Sequence, residues 1–166
     1  MTSIRLTERA DRDGVLGVVR AAFGPEDDAV GIVETVWRSA AHLPDLDLVA
    51  VEDGRIVGHV LHSVATVEDR QVVALAPLAV DAPHQRRGIG SALVTEALRR
   101  ADEADHPMVV LLGHPDYYPR FGFERAMTLG LTYGDRPPPA EAFQARRLRA
   151  YDPTIRGRFR FAWELG

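Results

Sequence analysis

Residues 71–113, QVVALAPLAVDAPHQRRGIGSALVTEALRRADEADHPMVVLLG, constrain this chain more than any other stretch. The run QVVALAPLAVDA is apolar and rich in valine, which reads as a strand. SALVTEALRRADEA places Leu93, Ala97 and Leu98 on one stripe at helical spacing, to about Asp105. MVVLLG is short and wholly apolar, the pattern of a strand buried on both faces. A strand, a helix and a strand in one sheet make a crossover with the two strands parallel. This block therefore commits the chain to the α/β class, with a helix laid on a sheet.

The remaining segments fill out that plan. LTERADRDGVLGVVRAAF carries Val15, Val18, Val19, Ala22 and Phe23 at helical spacing, with Thr7 or Asp11 as N-cap and Gly24-Pro25 as terminator. EDDAVGIVETVWRSAA predicts a second helix with Val30, Val33 and Trp37 on one stripe. In LDLVAVEDGRIVGHVLHSVATVEDR two β-rich runs flank Asp53-Gly54, a hairpin signal. HPDYYPRFGFERA predicts a short helical turn and then a turn at Gly122. YGDRPPPAEAFQARRL reads as a proline-rich loop leading to a short helix or extended arm. IRGRFRFAWEL alternates Phe159, Phe161 and Trp163 or Leu165 with polar residues and reads as the closing strand. The expected order is α-α-β-β-β-α-β-α-β, one mixed sheet covered by helices. At 166 residues it forms one domain, residues 1–166, with a C-terminal arm and closing strand at about 133–166.

The link PHQRRGIGSAL puts two arginines and two glycines where a strand meets a helix. A helix start presents unpaired N–H groups and partial positive charge. Gly88 and Gly90 lack the Cβ atoms that would hold a phosphate off the backbone, and Arg86 and Arg87 add forked donors. The physical answer to this combination is a diphosphate. The plainer alternative is a strand–helix turn with its arginines in water. Ala92 and Leu93 occupy the place of the last glycine of G-x-G-x-x-G, and the P-loop pattern is missing, so a dinucleotide or triphosphate is not expected.

Composition excludes other chemistries. There is no cysteine, hence no disulfide, no thiolate metal site and no cysteine nucleophile. All 20 basic residues are arginine, which removes Schiff-base and Walker lysines. The net charge of −4 speaks against a nucleic-acid partner, and six arginines in QARRLRAYDPTIRGRFR read first as a solvated arm. No apolar run approaches the ~20 residues of a membrane span, and MTSIRLTERADRD lacks a signal-peptide core, so a cytoplasmic location is expected.

The spacing Gln85-x-x-Gly88-x-Gly90, after an apolar strand and opening an amphipathic helix, resembles the acyl-CoA signature of the GNAT N-acetyltransferase superfamily. LAPLAVDAPHQRRGIGSALV, LLGHPDYYPRFGFERA and EDGRIVGHVL extend the likeness over roughly residues 4–126. YYPRFGF, the proline-rich arm and the last aromatic strand are similar to the YhbS-like branch of that superfamily. The resemblance implies a mixed twisted sheet of about six to seven strands flanked by helices. It implies acetyl-CoA or another acyl-CoA as co-substrate and no metal. The pyrophosphate would sit on the turn from Arg86 through Arg87, Gly88, Ile89 and Gly90 to Ser91, and the pantetheine arm beside Leu78, Ala79 and Val80. Pro77, which cannot donate to a ladder, suits a strand opening away from its neighbour.

Acetyl transfer to an amine needs a deprotonated amine, a donor for the thioester oxygen and a proton for the departing thiolate. By the resemblance, Tyr118, five residues before Phe123, is the candidate acid, Tyr117 is the adjacent alternative, and a backbone N–H near Val80 is the oxyanion donor. The fourth strand lacks the glutamate of some relatives, so a direct carboxylate base is not expected; a water chain ending at Glu52, His59 or His62 is one route. On an ideal strand His59 and His62 point to opposite faces and do not form a pair. His114 and the acidic loop with Glu26, Asp27 and Asp28 are candidates for lining the acceptor site, and the acidic residues are alternatively a helix cap. The acceptor would be a small-molecule or peptide amine, with a homodimer left open. A non-catalytic acyl-CoA sensor is the second reading.

Overall fold

The computed structural model of the chain describes residues 1–164. Three helices and nine strands follow one another as β1 (Thr2–Leu6), α1 (Arg12–Phe23), α2 (Ala29–Trp37), β2 (Leu48–Glu52), β3 (Arg55–Val67), β4 (Arg70–Val80), α3 (Ile89–Glu103), β5 (Met108–Leu112), β6 (Glu124–Arg125), β7 (Leu131–Tyr133), β8 (Phe143–Arg147) and β9 (Gly157–Phe161). The sheet runs β1-β2-β3-β4-β5-β8-β6, and β9 pairs with β3 and β7. As the crossover rule requires, β4 and β5 are parallel. Asp53 and Gly54, both at positive φ, close the hairpin between β2 and β3. Leu165, read into the closing strand, lies outside the described residues.

Residue alternation sorts the core into two faces. Ala50, Val60, Val73, Leu75, Val109 and Leu111 pack under α3, which buries Ile89, Leu93, Val94, Ala97 and Ala101. Val49, Leu61 and Ala79 point to the opposite face, under Val15, Val18 and Val19 of α1 and Val33 and Val36 of α2. Further along that face, Ala65, Val72, Ala74, Met108 and Val110 meet Phe143, Phe159 and Phe161 of the C-terminal strands. Leu93 is fully buried, and truncating such a side chain costs ~2–5 kcal/mol.

The structure adds to or departs from the sequence reading in four places. TSIRL, assigned no element from the sequence, forms an edge strand against β2. Of the two readings of AEAFQARRL, short helix or extended arm, the second holds: Phe143–Arg147 is extended and pairs along the whole of β5. With the short β6 and β7, the sheet holds nine strands instead of six or seven. Phe23, assigned to the buried stripe of α1, is 40% exposed, because the helix ends there and its last turn overhangs the sheet edge of a cleft.

The β4–β5 ladder contains two pairs, Val73↔Val109 and Ala74↔Val110, although β4 continues to Val80 and β5 to Leu112. On its other side β4 stays on β3, with a register slip between Val60↔Leu78 and His62↔Leu75. The Ala76–Pro77 peptide within that slip is cis. The strands therefore part beyond Ala74, and the gap opens the sheet from one face to the other.

Candidate active site

The turn into α3 has the geometry of an anion cradle. Gly88 is the N-cap at φ 82°, and Arg86 also adopts a left-handed conformation at φ 64°. The first intrahelical bond runs from Ala92 N–H to Gly88 O at 3.0 Å. The N–H groups of Ile89, Gly90 and Ser91 precede it and take no acceptor among the described residues. A Cβ at Gly90 would lie 2.9 Å from the Tyr117 hydroxyl and 3.6 Å from Val80 Cγ2, so the backbone here is approachable because position 90 is glycine. Gln85 Nε2 donates to Val80 O at 2.9 Å and ties the turn to the end of β4.

The two arginines part company. Arg86 lines the cleft. Arg87 turns away and donates to Glu52 at 3.2 Å, and Glu52 also accepts the Thr2 hydroxyl at 2.8 Å. Those two hydrogen bonds, that of Thr2 first, hold the Glu52 carboxyl below its usual range. The side chain of Arg87 is therefore not part of the cradle, and Glu52 is not among the groups of the cleft.

The gap between β4 and β5 widens into a cleft of about 1030 Å³. The residues from Leu75 to Val80 form one wall, the start of α3 a second, and Leu112, Gly113, His114, Tyr117 and Tyr118 a third. Asp81 N–H bonds Val57 O at 2.9 Å, so Ala79, two residues earlier in an antiparallel ladder, also directs its N–H and C=O at β3. Leu78 and Val80 direct theirs into the cleft. Of the three strand residues marked out by the sequence, two offer backbone hydrogen bonds there, and Ala79 offers its side-chain face.

The adjacent tyrosines take different surroundings because the chain turns between them. Tyr117 lies against the start of α3, its hydroxyl 3.5 Å from Ser91 Oγ and its ring covered by the Arg120 guanidinium at 4.6 Å. Tyr118 is 8% exposed, wedged beside Gly113 and edge-on to Phe123 at 5.6 Å. A Cβ at Gly113 would meet Tyr118 Cε2 at 2.5 Å, so this glycine makes room for the ring. The Tyr118 hydroxyl has no hydrogen-bond partner among the described residues, and the residue lines the cleft. Burial, with a smaller effect of Tyr117, raises its pKa above that of an ordinary phenol. It therefore keeps its proton throughout the neutral range.

His114 is exposed at the rim beside the tyrosines, on a loop whose Gly113 and His114 carbonyls accept from the buried Gln144 amide at 3.2 and 3.4 Å. Asp28 is not among the cleft-lining residues; its carboxylate lies against Gly31 in the first turn of α2. Its neighbour Asp27 lines the cleft and also accepts the Ala29 N–H at 2.8 Å, a helix-start contact. His59 and His62 leave opposite faces of β3, and both are fully buried away from the cleft. His62 Nδ1 donates to Leu46 O at 2.8 Å, and burial pushes its pKa down to about 4.

Sequence reasoning missed several groups. Asp47, 2% exposed, accepts from Thr7 Oγ1 at 2.7 Å, Trp37 Nε1 at 3.0 Å, and the Nε2 atoms of His42 and His59, each at 2.8 Å. Burial alone would raise its pKa, but the hydrogen bonds from His42 and His59 hold it below the usual carboxylate range. Arg120, Trp163 and Glu164 line the cleft, and only the position of Arg120 in YYPRFGF hinted at this. Three of the six C-terminal arginines make contacts within the fold: Arg146 donates to Phe121 O, Arg147 pairs with Glu124, and Arg149 with Asp105. No cluster of three or more His, Asp or Glu able to hold a metal occurs among the described residues.

Residues 19–123 match the acetyltransferase (GNAT) family. The chain is 39% identical over 149 residues to the uncharacterized N-acetyltransferase YhbS of Escherichia coli K12, covering 87% of this chain and 86% of that protein. It is 32% identical over 126 residues to the uncharacterized N-acetyltransferase YjhQ of the same strain, covering 74% and 69%. The crystal structure of Escherichia coli YhbS in complex with CoA superimposes with a TM-score of 0.86 at 31% identity, over 99% of this chain and 91% of that one. A GNAT family acetyltransferase from Brucella melitensis in complex with acetyl-CoA gives 0.80 at 26% identity, over 99% and 98%. With a glycine turn opening α3, a sheet parted beside it and these relatives, the chain belongs to the GNAT acetyltransferase family.

Proposed function

We propose that the chain moves an acetyl group from acetyl-CoA to a primary amine by direct attack. The observation that carries this reading is the cradle at α3, bare at Gly90 and continuous with the parted strands. The YhbS and Brucella structures that superimpose on the chain hold CoA and acetyl-CoA. The N–H groups of Ile89, Gly90 and Ser91 with the Arg86 guanidinium bind the diphosphate. Leu78 holds the pantetheine arm through its backbone N–H and C=O, with Ala79 and Val80 beside it. Acetyl-CoA supplies an activated acyl carbon and a thiolate leaving group. The Val80 N–H, directed into the cleft, supports the role of stabilising the negative charge that gathers on the thioester oxygen. Tyr118 Oη, protonated and unpartnered, gives its proton to the departing thiolate. His114 is the exposed imidazole beside the tyrosines and takes the proton of the incoming ammonium. No cysteine is present to carry the acyl group, which leaves direct attack.

The rival is a protein that binds acyl-CoA without turnover, favoured by the absence of a carboxylate between Leu75 and Val80. Tyr118→Phe decides between them. It removes a hydroxyl with no partner, so the fold and the acetyl-CoA Kd are expected to hold while kcat falls about 100-fold or more. A kcat within about threefold of the parent removes Tyr118 as the acid, and an acyl-CoA-binding protein inert toward every amine favours the rival.

A further inference from the structure

Beyond Tyr118 the cleft passes through the sheet to the face covered by α1, α2 and the C-terminal strands. Its wall there is made of Phe23, Ile32, Tyr133, Phe161 and Trp163, four of them aromatic. Phe23 and Leu112, each 40% exposed, are two of the five large apolar side chains that the described residues leave open, and both line this cleft. Apolar surface grouped in a concave site marks a ligand. Trp163 adds a buried indole N–H with no partner among the described residues. Phe161 and Trp163 are tilted against each other at 5.2 Å, a flat-sided wall.

Charge divides the cleft in the same sense. Arg86 and Arg120 belong to the segments at the start of α3 and beneath it. Asp27 and Glu164 lie on the other side, on the α1–α2 turn and the C-terminal segment. Asp27 uses Oδ1 on Ala29, and its second oxygen takes no partner among the described residues. Glu164 forms no ion pair among them and stands close enough to Tyr133 to raise its phenol pKa, after the larger effect of burial. An anion meets the arginines; a cation meets the two carboxylates.

We propose that the acceptor is a small primary amine carried on an apolar, ring-bearing body, drawn in by Asp27 and Glu164 and seated against Trp163, Phe161 and Phe23. This inference rests on the acetyl-transfer reading above. The amine nitrogen forms the new bond to the acetyl carbon as the thioester C–S bond breaks. Of the three ammonium protons, one stays on the amide, one leaves through His114 to solvent, and one ends on the leaving sulfur with Tyr118 as carrier. A polyamine or amino sugar fits the wall poorly. It would strip water from polar groups against side chains that cannot replace those hydrogen bonds.

The test follows thiol release from acetyl-CoA with four probes: 2-phenylethylamine, tryptamine, spermidine and glucosamine. The ring-bearing amines are expected to exceed the other two by about tenfold or more in kcat/KM, the scale of one buried aromatic contact. Trp163→Ala and Phe23→Ala are expected to raise KM for 2-phenylethylamine about tenfold. The acetyl-CoA Kd, measured by calorimetry on the same preparations, should not change, which also reports that the variants fold. Spermidine or glucosamine matching the aromatic amines overturns the inference and leaves acetyl transfer standing. Binding of acetyl-CoA with no turnover of any probe also overturns it. Failure to bind acetyl-CoA overturns the transfer reading itself and this inference with it.

Discussion

Asp47→Ala is expected to be among the most destabilising single substitutions outside the apolar core. The carboxylate joins four parts of the fold: Thr7 beyond β1, Trp37 at the end of α2, His42 in the crossing segment and His59 on β3. His59 is fully exposed to its loss. It is 0% solvent-accessible, and its Nδ1 already has no partner among the described residues. Without Asp47 neither ring nitrogen is satisfied, and one buried unpaired donor costs ~1–3 kcal/mol. The other three donors are partly accessible and regain some water, at ~0.5–1.5 kcal/mol each. Together these span roughly 2.5–7.5 kcal/mol, and the middle of that span matches the ~3–5 kcal/mol lost when one partner of a buried charged network is removed. At ~2–4 °C per kcal/mol for a chain of this size, Tm falls by about 10 °C. Urea unfolding followed by tryptophan fluorescence measures it, and Trp37, a ligand of the carboxylate, reports directly. Asp47→Asn keeps one acceptor oxygen but turns an NH₂ on two donors, so it should lie between parent and alanine. A loss below about 1 kcal/mol for Asp47→Ala would refute the reasoning, because it would mean that water satisfies His59.

Two further outcomes separate neighbouring residues and set a pH window. Arg86→Ala is expected to weaken acetyl-CoA binding about tenfold and Arg87→Ala less than twofold, since the second side chain is held by Glu52; calorimetry at two salt concentrations checks both. His62, with its pKa lowered to about 4 by burial against an ordinary value near 6.5, binds its proton more readily in the unfolded chain. Its contribution is therefore complete above about pH 6.5 and is lost as pH falls toward 4, by up to roughly 3 kcal/mol. Urea midpoints from pH 7.5 to 4.5 should show this decline, and His62→Gln should flatten it.

The parts of the fold legible in the sequence are those written in local pattern. Period-two alternation placed His59 and His62 on opposite faces, and the run from Gln71 to Gly113 shows its strand, turn, helix and strand by apolar spacing alone. β1 was hidden because TSIRL is an edge strand whose outward residues are polar. The segment Phe143–Arg147 stayed open between helix and extended arm because its apolar side chains alternate over only two positions. Asp47 lies at the start of the β-rich run LDLVAVE; nothing local shows that four donors converge on it from distant segments. The division between Arg86 and Arg87, like that between Tyr117 and Tyr118, depends on the backbone direction at one turn, which composition and spacing do not carry. The apolar wall proposed for the acceptor draws on α1, α2 and the C-terminal segment together, and proximity of that kind appears only once the chain is folded.

The proposed function stands on the bare turn at α3 as the holder of the diphosphate of an acyl-CoA. The most direct measurement is isothermal titration of acetyl-CoA into the parent protein and into Gly90→Glu, whose side chain would enter the space between Tyr117 and Val80 and bring negative charge to the cradle. Saturable 1:1 binding by the parent that is lost in a folded Gly90→Glu is the predicted result. No binding by the parent, or binding unchanged in the variant, would contradict the assignment of the turn.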